Sequence, residues 1–264
     1  MKNVLIDDST PGVRLITLNR PERMNALDGV TLAALNAAIV GASEPALDIR
    51  VLVIRGVGRA FCAGNDLKWL AGGVLDKPAE HQRHQDLMQA TYEALESAPQ
   101  IVVACVNGFA VAGGFELALA CDIIVADEAA ELGDEHMRRN LLPSGGSSQR
   151  LPRLIGLPRA MYYLVTGRRM TGRQAQEMGL AALAVPAAEL ESVTLALAQD
   201  IARADPQALA SMKALARRSM ELPLKDGLSL ERWTQYRYRT ASTSLEAGVR
   251  NFAAHGKDGA PGKR

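Results

Sequence analysis

The chain opens on short apolar runs separated by polar breaks. Residues 4–6 and 13–18 flank Asp7-Asp8-Ser9-Thr10-Pro11-Gly12, a pattern that predicts strand, turn and strand paired antiparallel. The polar segment 19–25 reads as a loop. Asp28 is then placed to cap a helix with Leu32, Leu35, Ala38 and Ile39 on one face. Val51-Leu52-Val53-Ile54 shows no alternation; a continuous β-branched run ended by glycine predicts a strand buried on both faces, as in parallel sheets. A mostly polar helix over about 80–97, a strand over 101–106, a short apolar helix over about 114–120 and a strand over 123–125 extend the alternation. That order predicts an α/β fold of βαβ units around a mostly parallel sheet. Residues 189–219 and 223–254 read as helices, so a core over 1–195 and a C-terminal helical region over 196–264 are expected, with the last nine residues frayed.

Composition narrows the class. The 264 residues are 48% hydrophobic and 22% charged, which excludes a disordered or collagen-like chain, and with 4% aromatics the core must be aliphatic. Thirty basic residues against 29 acidic give a net charge of +1, which argues against a general nucleic-acid binder. Cys62, Cys105 and Cys121 are an odd set without a CxxC pair, as expected of reduced thiols in a cytoplasmic protein. No apolar run approaches the ~20 residues that span a bilayer, and the start is too short and too quickly acidic for a signal peptide.

Three stretches place glycine in otherwise apolar sequence: Ala60-Phe61-Cys62-Ala63-Gly64-Asn65-Asp66-Leu67, Asn107-Gly108 through Gly113-Gly114-Phe115-Glu116, and Leu142-Pro143-Ser144-Gly145-Gly146. Glycine lets backbone approach a ligand, and a helix N-terminus supplies free N–H groups, so the second stretch suits a developing negative oxygen. Each stretch alone is more readily a tight turn. Glu116 precedes Leu117-Ala118-Leu119-Ala120: desolvated there it would be a general base, exposed there a dipole-stabilised surface acid, and periodicity does not separate the two. No dinucleotide fingerprint, Walker A loop or G-x-S-x-G elbow occurs. Asp134-Glu135-His136 superficially resembles a metal motif, but adjacent residues rarely converge on one ion, and no metal site is expected. His81 and His84 read as a solvated helix face, and Arg232, Arg237 and Arg239 with Trp233, Tyr236 and Tyr238 as an interhelical or subunit contact.

Taken in order, these stretches resemble the crotonase, or enoyl-CoA hydratase/isomerase, superfamily. The match runs from Asn19-Arg20-Pro21 and Asn25-Ala26-Leu27 through Phe61 to Leu67, Val106-Asn107-Gly108, Gly113 to Leu117, Cys121-Asp122, Pro143 with Gly145-Gly146, Gln149-Arg150-Leu151 and Gly167 to Thr171, covering about residues 4–252. The resemblance implies a crotonase-like spiral of βαβ units with a C-terminal helical region that packs homotrimers, often paired as dimers of trimers. It implies an acyl-CoA substrate, with no cofactor beyond the CoA moiety. The backbone N–H groups of Asn65 and Gly113 would form an oxyanion hole for the thioester oxygen. Arg23, Ala63, Asn65, Asp66, Leu67, Lys68 and Gly113 would line the CoA site, Arg23 and Lys68 giving a neutral protein a locally positive mouth. Glu116 matches one of two catalytic glutamates; the second position, seven residues before Pro143, is His136, with Glu135 beside it. Enoyl-CoA hydration is therefore the first expectation. His136 could serve as the second acid, or Glu135 could turn inward. A third possibility is that one catalytic group suffices, as in an isomerase, a CoA-thioester decarboxylase or a hydrolase. A catalytically weak acyl-CoA-binding protein is the alternative of another class.

Overall fold

The structure is a computed structural model that describes residues 2–242, 246 and 248–250. β1 (Val4–Thr10) and β2 (Val13–Leu18) form the expected hairpin, followed by α1 (Gly29–Val40). Asp28 caps α1 by accepting from Thr31 N at 2.8 Å, and Leu32, Leu35, Ala38 and Ile39 are all buried. β1 is longer than the apolar run 4–6: residues 7–10, expected as turn, continue the strand. It is an edge strand whose residues 5–9 are all exposed, so polar side chains are tolerated there, and Asp8 pairs with Arg14 of β2 at 2.7 Å.

Three similar passages follow: β3 (Val51–Gly56) and β4 (Ala60–Cys62) lead into α2 (Leu67–Trp69) and α3 (Pro78–Ser97), and β5 (Ile101–Val106) and β6 (Phe109–Val111) into α4 (Gly113–Ala120). β7 (Ile123–Asp127) and β8 (Glu131–Gly133) lead into α5 (Ser147–Ile155) and α6 (Leu157–Thr166). β9 (Met170–Thr171), α7 (Gly172–Glu177), β10 (Leu183–Val185) and α8 (Ala187–Ile201) complete this part. Each passage puts its first strand in a six-stranded sheet, ordered β1-β2-β3-β5-β7-β10, and its second in a four-stranded sheet, ordered β4-β6-β8-β9. In the larger sheet every pairing after β1–β2 is parallel. The sequence pattern does not foretell the smaller sheet, whose strands of two or three residues are too short to show a period.

The unalternating run 51–54 is explained by two cores. Leu52 and Ile54 face a cluster with Leu32, Leu35, Met88 and Leu117, whereas Val51 and Val53 face Leu190 and Ala198 of α8. Because α8 covers the sheet, the compact unit runs through Ala204 and so extends beyond the expected boundary at 195. The second unit starts at Asp205 and contains α9 (Pro206–Arg218) and α10 (Leu224–Ala241). The predicted helix over 189–219 is thus two helices: Pro206 cannot continue a helix but suits the start of one, and Asp205 caps it by accepting from Ala208 N at 2.9 Å. On α10, Trp233 stacks on Tyr236 at 5.7 Å with Arg239 over the same ring, and both aromatic residues are exposed. Residues 243–245, 247 and 251–264, with the predicted end of the last helix and the frayed terminus, lie outside the described residues.

Candidate active site

The site is built where two glycine stretches press backbone against backbone. Beyond β4, Gly64 has φ +82°, and a side chain there would stand 2.5 Å from Gly113 N. A side chain at Gly114 would collide with the Cys62 carbonyl. Glycine is therefore required at both positions for α4 to start against the end of β4. Leu27 pairs with this turn, its N–H donating to Gly64 O at 2.8 Å and its carbonyl accepting from Asp66 N at 3.0 Å. Successive peptide N–H groups on an extended segment point in opposite directions, so the Asn65 N–H is turned away from Leu27. It lies on the Gly113 side, 3.5 Å from where a Gly113 Cβ would be, and neither it nor the Gly113 N–H has an acceptor among the described residues. Buried Tyr92 donates to Gly113 O at 2.7 Å and holds that peptide in place. Two free N–H groups from one loop and one helix start can bind a single oxyanion.

Asn25 explains the motif before the loop. It is fully buried, has φ +56°, and its amide donates to Val57 O at 3.0 Å and Ala60 O at 2.7 Å, tying segment 19–27 to the ends of β3 and β4.

Glu116 lies in the first turn of α4 with no exposed surface. Its Oε1 accepts from Gly145 N at 2.8 Å and Ser147 N at 3.2 Å, whereas Oε2 has no partner. Burial, reinforced by the charge of Asp134, outweighs these hydrogen bonds and the nearby charge of His136 and raises the Glu116 pKa. The third glycine stretch is part of this arrangement. A side chain at Gly145 would stand 2.5 Å from Glu116 Oε2 and collide with the Tyr92 ring. The choice left open by periodicity is thus decided for a desolvated carboxylate with one free oxygen.

His136 and Glu135 part company. His136 Nδ1 lies 2.9 Å from Asp134 Oδ2, close enough for an ion pair although off-line for a hydrogen bond. Burial disfavours the imidazolium, but Asp134, assisted by Glu116, overcomes this and raises the His136 pKa. Glu135 is buried among arginines: Oε1 accepts from Arg169 Nε at 2.6 Å and Arg138 at 3.3 Å, and Arg139 lies 3.9 Å from Oε2. No group of three His, Cys, Asp or Glu side chains among the described residues is arranged to hold a metal ion.

These contacts bring a desolvated carboxylate, a buried Asp–His pair and two N–H groups without acceptors to the start of α4, and the family model for enoyl-CoA hydratase/isomerase matches residues 8–259. The chain belongs to the enoyl-CoA hydratase/isomerase family. YngF of Bacillus subtilis is 38% identical over 230 residues, 87% of each chain. Mouse enoyl-CoA hydratase domain-containing protein 2, mitochondrial, is 36% identical over 233 residues, 83% of this chain and 75% of that one. The crystal structure of an enoyl-CoA hydratase from Bacillus anthracis superposes with a TM-score of 0.90 at 35% identity, covering 96% of each chain. The fold is therefore the crotonase fold, with its C-terminal helices present.

Within that family frame, the residues expected at the CoA site divide. Arg23 and Lys68 are exposed and have no ion pair among the described residues, and Leu67 is exposed beside Lys68. Ala63 is partly buried, with its N–H on Met24 O. The Asp66 side chain is committed internally: it caps α2 through Lys68 N and Trp69 N, both at 3.1 Å, and pairs with Arg20 at 3.1 Å. Sequence reasoning missed three contributors. His84, read as solvated, is 5% exposed; its Nε2 lies 2.8 Å from Asn65 Oδ1 and its ring 4.7 Å from that of Trp69. Asp134 and Ser147 join the site only because β8 and the start of α5 meet beside α4. The sequence carries no signal for His84 or Ser147; Asp134 stands beside His136 but could be placed only by the fold.

Proposed function

We propose that this chain adds water to 2-enoyl-CoA thioesters. The observation that carries the reading is the chain of contacts by which Ser147 and Asp134 connect Glu116, with its one free oxygen, to His136. The Asn65 and Gly113 N–H groups would hold the thioester oxygen, each worth roughly 3–4 kcal/mol to the developing enolate. Glu116 as carboxylate takes a proton from water while the water oxygen bonds to the β-carbon. The alkene electron pair moves toward the α-carbon and thioester oxygen, and the His136 imidazolium gives its proton to the α-carbon. Return of the Glu116 proton to His136 resets the site, and the balance is one water added with no redox change. Arg23 and Lys68 would meet CoA phosphates at the mouth.

Steady-state hydration of crotonyl-CoA tests this reading. Glu116→Gln and His136→Gln should each retain the fold and lose most of kcat, and undiminished turnover in either overturns the role given to that residue. A second reading follows from the histidine that stands where relatives are expected to carry glutamate: Glu116 alone relocates a proton, as in an isomerase, or the site decarboxylates or hydrolyses a thioester. Faster turnover of a 3-enoyl-CoA or malonyl-type CoA than of crotonyl-CoA would favour it. The reading includes assembly into homotrimers or dimers of trimers, for which Leu157, Met161 and Val165 supply an exposed apolar row on α6. Sedimentation at micromolar concentration checks that. It also places the protein in a reducing, cytoplasmic compartment, supported by three buried cysteines that form no disulfide.

A further inference from the structure

Ser147 links Glu116 to the carboxylate that faces His136. Its N–H donates to Glu116 Oε1 at 3.2 Å, and its hydroxyl donates to Asp134 Oδ2. Asp134 is 1% exposed; the same Oδ2 faces His136 Nδ1, and Oδ1 accepts the His136 backbone N–H at 3.2 Å. The adjacent Glu135 has three arginines around it, yet Asp134 has no Lys or Arg ion pair among the described residues. A buried carboxylate without a counter-charge costs several kcal/mol, so the imidazolium of His136 is the cation that this pocket is built around.

We infer that Asp134 and Ser147 are positioning residues that keep His136 protonated and turned with Nδ1 inward, leaving Nε2 as the nitrogen that delivers the proton. This rests on the hydration reading and extends it to two residues that do not touch the substrate. An imidazolium only donates hydrogen bonds, whereas a glutamate in its place would also accept them. The unit therefore fixes the direction of proton delivery and leaves the activation of water to Glu116. The charged groups facing His136 are Asp134 before it, Glu116 on α4 and Arg139 in its own turn. Asp134 and Glu116 favour the imidazolium and Arg139 opposes it, so removal of the Asp134 charge should be felt most strongly.

The test reads the histidine directly. The His136 imidazole is followed by NMR titration of the full chain, its resonances identified by their loss in His136→Gln. In wild type it should titrate above the ordinary histidine range. In Asp134→Asn the midpoint should fall by about one pH unit or more, the range expected when an adjacent opposite charge is removed. The alkaline limb of kcat/KM for crotonyl-CoA hydration should move acidward with it, KM changing little. Ser147→Ala should give a smaller fall in the same direction and serves as the second variant if Asp134→Asn does not fold. An unmoved His136 titration in a folded Asp134→Asn, or in Ser147→Ala where that is the variant available, overturns the inference. Full turnover by His136→Gln would instead defeat the hydration reading, leaving the titration result to stand by itself.

Discussion

Glu116 and Glu135 are both almost wholly buried, at 0% and 4% exposure, and they lie in neighbouring pockets with opposite chemistry. Around Glu116 there are backbone N–H groups on one oxygen, nothing on the other, and a histidine within electrostatic reach. Around Glu135 there are Arg169, Arg138 and Arg139, with Arg169 itself over the Phe109 ring and paired to Glu131. Guanidinium groups fill the lone pairs of Glu135 with charged donors, whereas the two peptide donors on Glu116 leave one of its oxygens open. Burial alone does not make a base. What decides is whether the compensating charge is permanent, as on arginine, or titratable, as on His136.

The comparison can be broken most severely at Glu116. Glu116→Gln keeps the hydrogen-bonding outline and removes the proton acceptor, so kcat should fall by about 10²–10⁴-fold while the melting transition stays cooperative. Gly145→Ala should come next: the new methyl group meets Glu116 and Tyr92, and a loss of about 1–3 kcal/mol in denaturant unfolding should accompany a marked loss of turnover. Glu135→Gln should do the reverse of Glu116→Gln. It leaves Arg169 without its main partner and should cost about 1–3 kcal/mol of stability, less than for a fully buried pair because the arginines reach water. Turnover per folded molecule should change little. A collapse of activity in that variant, with the fold intact, would bring Glu135 back as an acid.

The smallest effect sharpens the contrast through pH. Burial first, then Asp134, raises the folded-state pKa of Glu116 above its unfolded value, so its contribution to stability is fully present below the unfolded pKa and is lost as pH rises through the folded one. Glu116→Gln should therefore be more stable than wild type in mildly alkaline buffer, with the gain vanishing near pH 4. Asp134 runs the other way. Its folded pKa is lowered because the His136 and Ser147 contacts outweigh burial, and its stabilisation is lost as pH falls through that value. Thermal melts of wild type, Glu116→Gln and Asp134→Asn from pH 2 to pH 9 would show the two opposite slopes, that of Asp134 below pH 4 and that of Glu116 above it.

Some of this was written in the chain. Val51-Leu52-Val53-Ile54 announces a strand buried on both faces because it has no polar position to give to water, and Asp28 announces a helix start because its side chain can satisfy an orphan N–H. The glycine stretches pointed to close backbone approaches, since glycine in an apolar setting permits an approach that a Cβ would block, and Gly64, Gly114 and Gly145 each make one. Local sequence could not say what each glycine approaches. That Gly145 fits around Glu116 across 29 positions, that His84 leaves its polar helix face for Asn65, and that Ser147 bridges Glu116 and Asp134 are contacts between distant segments. The different fates of Glu135 and His136, adjacent in the chain, were equally invisible. Propensity and periodicity report what a residue needs from its own neighbours along the chain, whereas a carboxylate's proton affinity is set by which charges the fold brings within a few ångströms of it.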